Sequence, residues 1–339
     1  MAQYRRHGSI VDRLILLSDP ERQDPSPGVG MGAGRLNRLL VLAERHGVLG
    51  PVLANLQRPD EPAAQAMFDA AVSRHNAAIG LCLMLRQMAV SVMDGVNAAG
   101  VPATIVKGPV FARHLYAKPS LRTYTDIDFL ARGSGLDWVR DGLLARGLRS
   151  DGEIDPSARE WKFYSPDYPH MAIEVHSDLI HSRSLGTQLR LTYSDIVEGD
   201  DPDSVSAPAP LLTVAAVHGA AHQFDRLRQV TDIVQAARHL TDAADERRLQ
   251  DIAEKTGTRF AIVAALNIAG HIYEDRRCHE IAQALGPIDR GNLIPRLISG
   301  TVVVAMQQRS RTIHTWRRSV LREMLKKDRS FAANSATRA

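Results

Sequence analysis

The chain has 339 residues, of which 44% are hydrophobic and 24% charged, with a formal net charge of +4 at pH 7. That length accommodates two domains and a buried core, and the composition excludes an intrinsically disordered chain. So small a charge excess gives no argument for a nucleic-acid partner. The two cysteines, Cys82 and Cys278, have no C-x-x-C neighbour, so neither a disulfide framework nor a zinc knuckle is supported and a reducing cytoplasm is the expected location.

Arg5, Arg6, Asp12 and Arg13 interrupt the first residues, and no signal peptide is expected there. The stretch from Asp24 to Gly32, rich in Pro and Gly, reads as a loop after a first helix. From Arg35 the residues Leu36, Leu39, Leu40, Leu42 and Ala43 recur at helical spacing to a stop near Gly47, and a short helix follows to Leu56. Residues 62 to 99 form one long helical pattern that Gly100 closes.

The apolar period then changes from about 3.6 to 2. Val101 to Val106 predicts a strand, Pro109 to Tyr116 a helix with Pro in its first turn, and Tyr124 to Ala131 a second strand. Ser134 and Asp137 have the spacing of a capping box for a helix ending at Gly147. Trp161 to Ser165 and His170 to Leu179 predict a hairpin turning at Pro166 to Pro169. Asp200 to Pro210 is the best internal linker, and helices are expected over 211–222, 226–240, 243–256, 258–274, 277–285, 291–308 and 312–328.

The expected class is therefore α+β: an N-terminal helical region (1–100), a small mixed-sheet core (101–200), a C-terminal helical domain (201–330) and a disordered tail (331–339). The apolar runs Phe260 to Gly270 and Leu293 to Met306 are short, or broken by Asn267, Pro295 and Arg296. Both fall below the roughly 20 residues that span a bilayer, so no membrane partner is expected.

The chemistry concentrates in the core. On the strand after Tyr124, Asp126 and Asp128 point the same way while Ile127 and Phe129 point to the opposite face. Glu174 sits in the same apolar-acid-apolar setting between Ile173 and Val175. Three carboxylates so placed can hold divalent cations, with Glu174 as ligand or proton acceptor. At Lys107-Gly108 a strand breaks into a helix; Gly permits close backbone approach to a phosphate and Lys supplies a point charge. Arg122, just before the second strand, is a candidate phosphate ligand through its planar fork. His176 shares a strand face with Glu174 and is a candidate for the cleft. His218 and His222, at i and i+4 on one helix face, are candidates for binding metal, carboxylate or phosphate. Asp232 is spaced to orient Arg226 or Arg228 or to serve packing alone, and His170 and His181 read as structural or exposed.

A Lys-Gly turn, an Asp-x-Asp strand and a later acidic strand resemble the nucleotidyltransferase fold shared with DNA polymerase β. More closely, Val106-Lys-Gly108, Leu115-Tyr116, Leu121-Arg122 and Thr125-Asp-Ile-Asp-Phe-Leu130 resemble a bacterial family of uncharacterised nucleotidyltransferases. Leu42 to Val48, Glu174 to Asp178, His218-Gly-Ala-Ala-His222, Arg226-Leu and Val230-Thr-Asp-Ile233 extend the likeness, in order, over residues 35 to 275. The wider superfamily has Gly-Ser at the turn and a shorter gap, whereas here seventeen residues separate Gly108 from Asp126.

The resemblance implies an enzyme that moves a nucleoside monophosphate from an NTP, with Mg²⁺ or Mn²⁺, to a hydroxyl of a small-molecule or peptide acceptor. Asp126, Asp128 and Glu174 would hold the metal, and Lys107, Gly108 and Arg122 the triphosphate. Two alternatives stay open: a toxin-like nucleotidyltransferase acting on tRNA or protein, and a nucleotide-binding protein without turnover. Residues 307 to 339 carry nine Lys or Arg against two acids, and Ile313, Trp316, Val320, Leu321 and Met324 recur at helical spacing. They read either as a partner or nucleic-acid surface or as a terminal helix packed on the body.

Overall fold

In the computed structural model the structure describes residues 9–21, 31–152, 154–155, 158–168, 171–180, 189–199, 201–288 and 294–306, with 320 and 323. Apart from Val320 and Glu323, the basic C-terminal segment lies outside those residues, as do His170 and His181. Helices α1 (Ile10–Ser18), α2 (Ala33–Arg45), α3 (Leu49–Asn55) and α4 (Pro62–Ala99) come first. Pro62 opens α4, and Gly100 in the left-handed conformation closes it. Next come β1 (Ala103–Ile105), α5 (Pro109–His114), β2 (Asp126–Ala131), α6 (Ser134–Ala145), β3 (Arg149–Ser150), β4 (Glu160–Tyr164) and β5 (Ala172–His176). The rest is helical: α7 (Tyr193–Ile196), α8 (Pro208–Ala221), α9 (Leu227–His239), α10 (Ala243–Thr256), α11 (Arg259–Tyr273), α12 (Arg276–Ala284), α13 (Ile294–Leu297) and α14 (Gly300–Met306). One mixed sheet with helices before and after it is the α+β class that the sequence predicts.

The sheet has five strands in the order β1-β2-β5-β4-β3. Strand β2 runs antiparallel to β1 and parallel to β5, and β5 forms the expected hairpin with β4. The sheet's two faces bury against different partners. Ile127, Phe129, Phe163, Ile173 and Val175 join Leu85, Ala89, Val92 and Val96 of α4 and Val139 and Leu143 of α6 in one apolar core. Leu130, on the opposite face of β2, joins the core formed by the remaining helices. Within that core α8 and α11 are apolar around nearly their whole circumference and correspondingly buried.

Several sequence expectations are corrected. Ser134 does not cap α6: the N-cap is Gly133, with no side-chain bond, and Asp137 pairs with Arg140. Tertiary contact sets that start, because Arg132 N–H donates to Pro102 O at 3.0 Å and Gly135 packs so close to Pro102 O that a Cβ would lie at 2.4 Å. A reciprocal capping box does exist at Thr192 and Asp195, where α7 was not foreseen. The expected linker is ordered: Pro202–Ser206 forms a 3₁₀ turn, Thr104 Oγ1 donates to Pro202 O at 3.0 Å, and α8 begins at Pro208.

Helix α4 also departs from the expectation that every apolar stretch is too short to span a bilayer. Among the described helices α4 is long and apolar enough to cross a membrane by length and composition. Arg86 is its single charged residue between Arg74 and Asp94, and interrupts an otherwise uncharged stretch. In the fold one stripe of α4 covers the sheet, while Leu81, Leu83, Met84 and Val90 are exposed.

His46 joins three helices at the end of α2. Leu227 N–H donates to its Nδ1 at 3.3 Å, so Nε2 carries the proton toward Val304 O, also at 3.3 Å. Burial lowers its pKa from the ordinary 6.5 to about 4, against the opposing bond to Val304 O. The unfolded chain therefore takes up this proton first as pH falls. The His46 contribution is whole above pH 6.5 and is lost toward pH 4, a span on the order of 3 kcal/mol. In thermal melts from pH 7.5 to 4.5, His46→Gln should show a shallower loss of stability than the wild type; parallel curves would refute the assignment.

Candidate functional site

Register brings the polar face together. Lys162 of β4, Glu174 of β5 and Asp128 of β2 lie directly opposite one another in one row across three strands. Glu160, His176 and Leu130 form the next row. Side chains in a row project on the same side of the pleat, so three strands deliver two carboxylates, an imidazole and an ammonium to one place.

Asp128 is 1% exposed and His176 is fully buried. Asp128 Oδ1 accepts from Lys107 Nζ at 2.7 Å and from His176 Nε2 at 3.0 Å. Glu174 Oε1 accepts from Lys162 Nζ at 2.7 Å, and its Oε2 lies 3.5 Å from His176 Nε2. Burial raises the Asp128 pKa, but Lys107 and His176 outweigh it and hold the carboxylate well below its usual range. Glu174, also opposed by burial, is held down to about 2 through His176 and Lys162. His176 moves upward, because its bonds to Asp128 and Glu174 overcome burial.

Lys107 arrives from the turn after β1. Gly108 there has φ +59°, and a Cβ would lie 2.9 Å from Asp126 O, so only glycine fits. The anion cradle expected at this turn is thin. Helix α5 has six residues, Pro109 has no N–H, and Val110 and Ala112 donate to Lys107 O and Gly108 O. The positive charge at the turn is thus Lys107 itself. Its Nζ also lies 3.2 Å from Nδ1 of His218, which must be the acceptor. Burial and then Lys107 push the His218 pKa well down, keeping it neutral.

Arg122 is placed differently from the sequence expectation. It is buried, and its fork is committed to Asp232 of α9, Nε to Oδ1 at 2.7 Å and NH2 to Oδ2 at 2.8 Å. Its NH1 donates to Gly108 O at 3.3 Å, so Arg122 fastens the turn from behind. Asp232 also accepts from Tyr116 Oη at 2.7 Å; it does not orient Arg226 or Arg228. Arg228 instead donates to Thr123 O at 3.0 Å and makes no ion pair to a described carboxylate.

A cleft of about 250 Å³ opens over this face, lined by Lys107, Asp126, Glu174, Lys162, His218 and His222 among others. Asp126 reaches its wall half-buried. The His218 and His222 rings lie 4.5 Å apart, and burial followed by Lys107 lowers the His222 pKa. Donor atoms of Asp128, Glu174 and His176 lie within 4.8 Å of one another, a set able to hold a metal ion; His218, His222 and Asp126 are outside that set, on the wall of the cleft. A larger cleft of about 340 Å³ lies between α4 and residues 119–124, but it has no carboxylate and cannot supply such a site. Glu160 and Lys162 were missed by sequence reading, although their alternation with Trp161 and Phe163 on the hairpin carried the signal.

A small mixed sheet thus gathers Asp128 and Glu174 from parallel neighbouring strands beside the Lys107-Gly108 turn. The sequence profile of the family described as uncharacterised nucleotidyltransferase matches residues 33–274, and the chain belongs to that family. No curated protein and no solved structure matched the chain.

Removing one partner of the Arg122–Asp232 pair leaves a buried charge uncompensated, at a cost of about 3–5 kcal/mol. Asp232→Ala should lose that much in urea denaturation. A loss near zero would show that the pair does not brace the turn.

Proposed function

We propose that the chain transfers a nucleoside monophosphate from an NTP to a hydroxyl of a small-molecule or peptide acceptor, using a divalent cation. The observation that carries this reading is the row Asp128–Glu174 beside Lys107, with Lys107, Glu174 and Asp126 lining one cleft in a member of a nucleotidyltransferase family. A cation held by Asp128 and Glu174, with Asp126 reaching in from the cleft wall, would neutralise phosphate oxygens and align the attacking and leaving oxygens. The donor set fits that role, and Lys107 already sets a positive charge on Asp128 Oδ1. In this reading Lys107 exchanges Asp128 for the triphosphate as nucleotide binds, and Arg122 keeps Gly108 in place without touching phosphate. Glu174, held down to about 2, suits a ligand better than a base. His218 and His222 line the wall where phosphate or acceptor enters. The buried free thiols Cys82 and Cys278 accord with a reducing cytoplasm.

One observation favours a second reading, a nucleotide-binding protein without turnover: Lys107 occupies the position where a cation would meet Asp128. Pyrophosphate release from the four NTPs with Mg²⁺ or Mn²⁺, across an acceptor panel, separates the two. Asp126 is the better carboxylate to mutate, since Asp128→Asn would strip the partner from two buried cations and confound activity with stability. Asp126→Asn should abolish pyrophosphate release with its melt unchanged, and undiminished release would end the transferase reading. Lys107→Met should weaken binding of a non-hydrolysable ATP analogue by about 10–100-fold, the worth of a charge-assisted hydrogen bond of ~1.5–3 kcal/mol. Equal affinity would remove Lys107 from the phosphate.

A further inference from the structure

We infer that His176 is a direct metal ligand, and that this nitrogen donor makes the centre select manganese-class divalent ions over Mg²⁺. The inference concerns the metal of the proposed transferase and rests on that reading for the ion's use. It begins from geometry. Ligand atoms in adjacent positions around an ion about 2.0–2.2 Å away stand roughly 3 Å apart. His176 Nε2 lies 3.0 Å from Asp128 Oδ1 and 3.5 Å from Glu174 Oε2, so two edges of such a shell are already near that length, and an ion would take the place of the proton that Nε2 shares with these oxygens. His176 is fully buried and flanked in register by Leu130 and Glu160, which fixes where its ring sits. Lys107 Nζ, at 2.7 Å, shows that the Asp128 oxygen nearest His176 is also the one that receives a cation.

The chemistry of the donors then decides the ion. Mg²⁺ demands octahedral oxygen ligands and keeps several of its waters. Imidazole nitrogen suits the later first-row divalent ions, whose affinities rise from Mn²⁺ onward. Two carboxylates and one imidazole, held by two neighbouring strands, therefore favour Mn²⁺ and its heavier neighbours.

The test uses the full chain and the ions alone. Mn²⁺ is titrated by electron paramagnetic resonance with Mg²⁺ as competitor, and electron spin echo modulation of the bound Mn²⁺ reports a directly coordinated nitrogen. The expected result is a nitrogen signal that converts to the ¹⁵N pattern in protein grown with ¹⁵N-histidine. Mn²⁺ should bind at least tenfold more tightly than Mg²⁺. His176→Gln should lose both the signal and the preference, while His222→Gln keeps them. If His176→Gln does not fold, retention of the signal in both His218→Gln and His222→Gln supports the assignment. An oxygen-only signal, a nitrogen signal surviving in His176→Gln, or equal affinities for the two ions would overturn it. An oxygen-only centre in a protein that still releases pyrophosphate would sink this inference alone, whereas a nitrogen signal in a protein with no turnover would sink the transferase reading alone.

Discussion

The buried pair between Arg122 and Asp232 is the constraint on which the rest of the site depends. Arg122 precedes β2, Asp232 belongs to α9, and their two short bonds are joined by Tyr116 from the end of the segment that α5 begins. The remaining donor of Arg122 reaches Gly108 O, so one guanidinium ties the bundle, the strand approach and the Lys107 turn together. Phe111 lies under that guanidinium at 5.1 Å, which leaves the fork little freedom to turn elsewhere. A lysine could not substitute, because it lacks the planar fork that meets both carboxylate oxygens while still reaching the carbonyl.

On the cleft side the governing fact is charge balance. Asp128 and Glu174 stand directly opposite each other on neighbouring strands, where two like charges repel. Lys107, Lys162 and His176 hold them there. The carboxylates thus stay ionised and preorganised, and the protein's own cations keep their negative charge from being stranded in the interior.

Much of this was legible in the sequence, for definite reasons. The alternation around Asp126, Asp128 and Glu174 fixes which side chains share a face, and a period of two needs no tertiary information. Lys107-Gly108 announced a special turn, and the positive φ of Gly108 confirms it. Local spacing points Arg122 toward phosphate, and nothing in it reveals that Asp232, 110 residues later, takes its fork. Residue 162 escaped notice for a similar reason: a lysine in a hairpin looks like solvated surface until register sets it beside Glu174. The start of α6 was misplaced because a close approach to Pro102, not a side-chain cap, decides it.

The link between Lys107 and His218 spans 111 residues of chain. During synthesis at about 5–20 residues per second, the whole sheet leaves the ribosome well before α8 can supply the wall of the cleft that carries His218 and His222. The cleft needs both the sheet and α8 in place, so a site able to grip substrate exists only in a chain whose helical part has docked on its sheet.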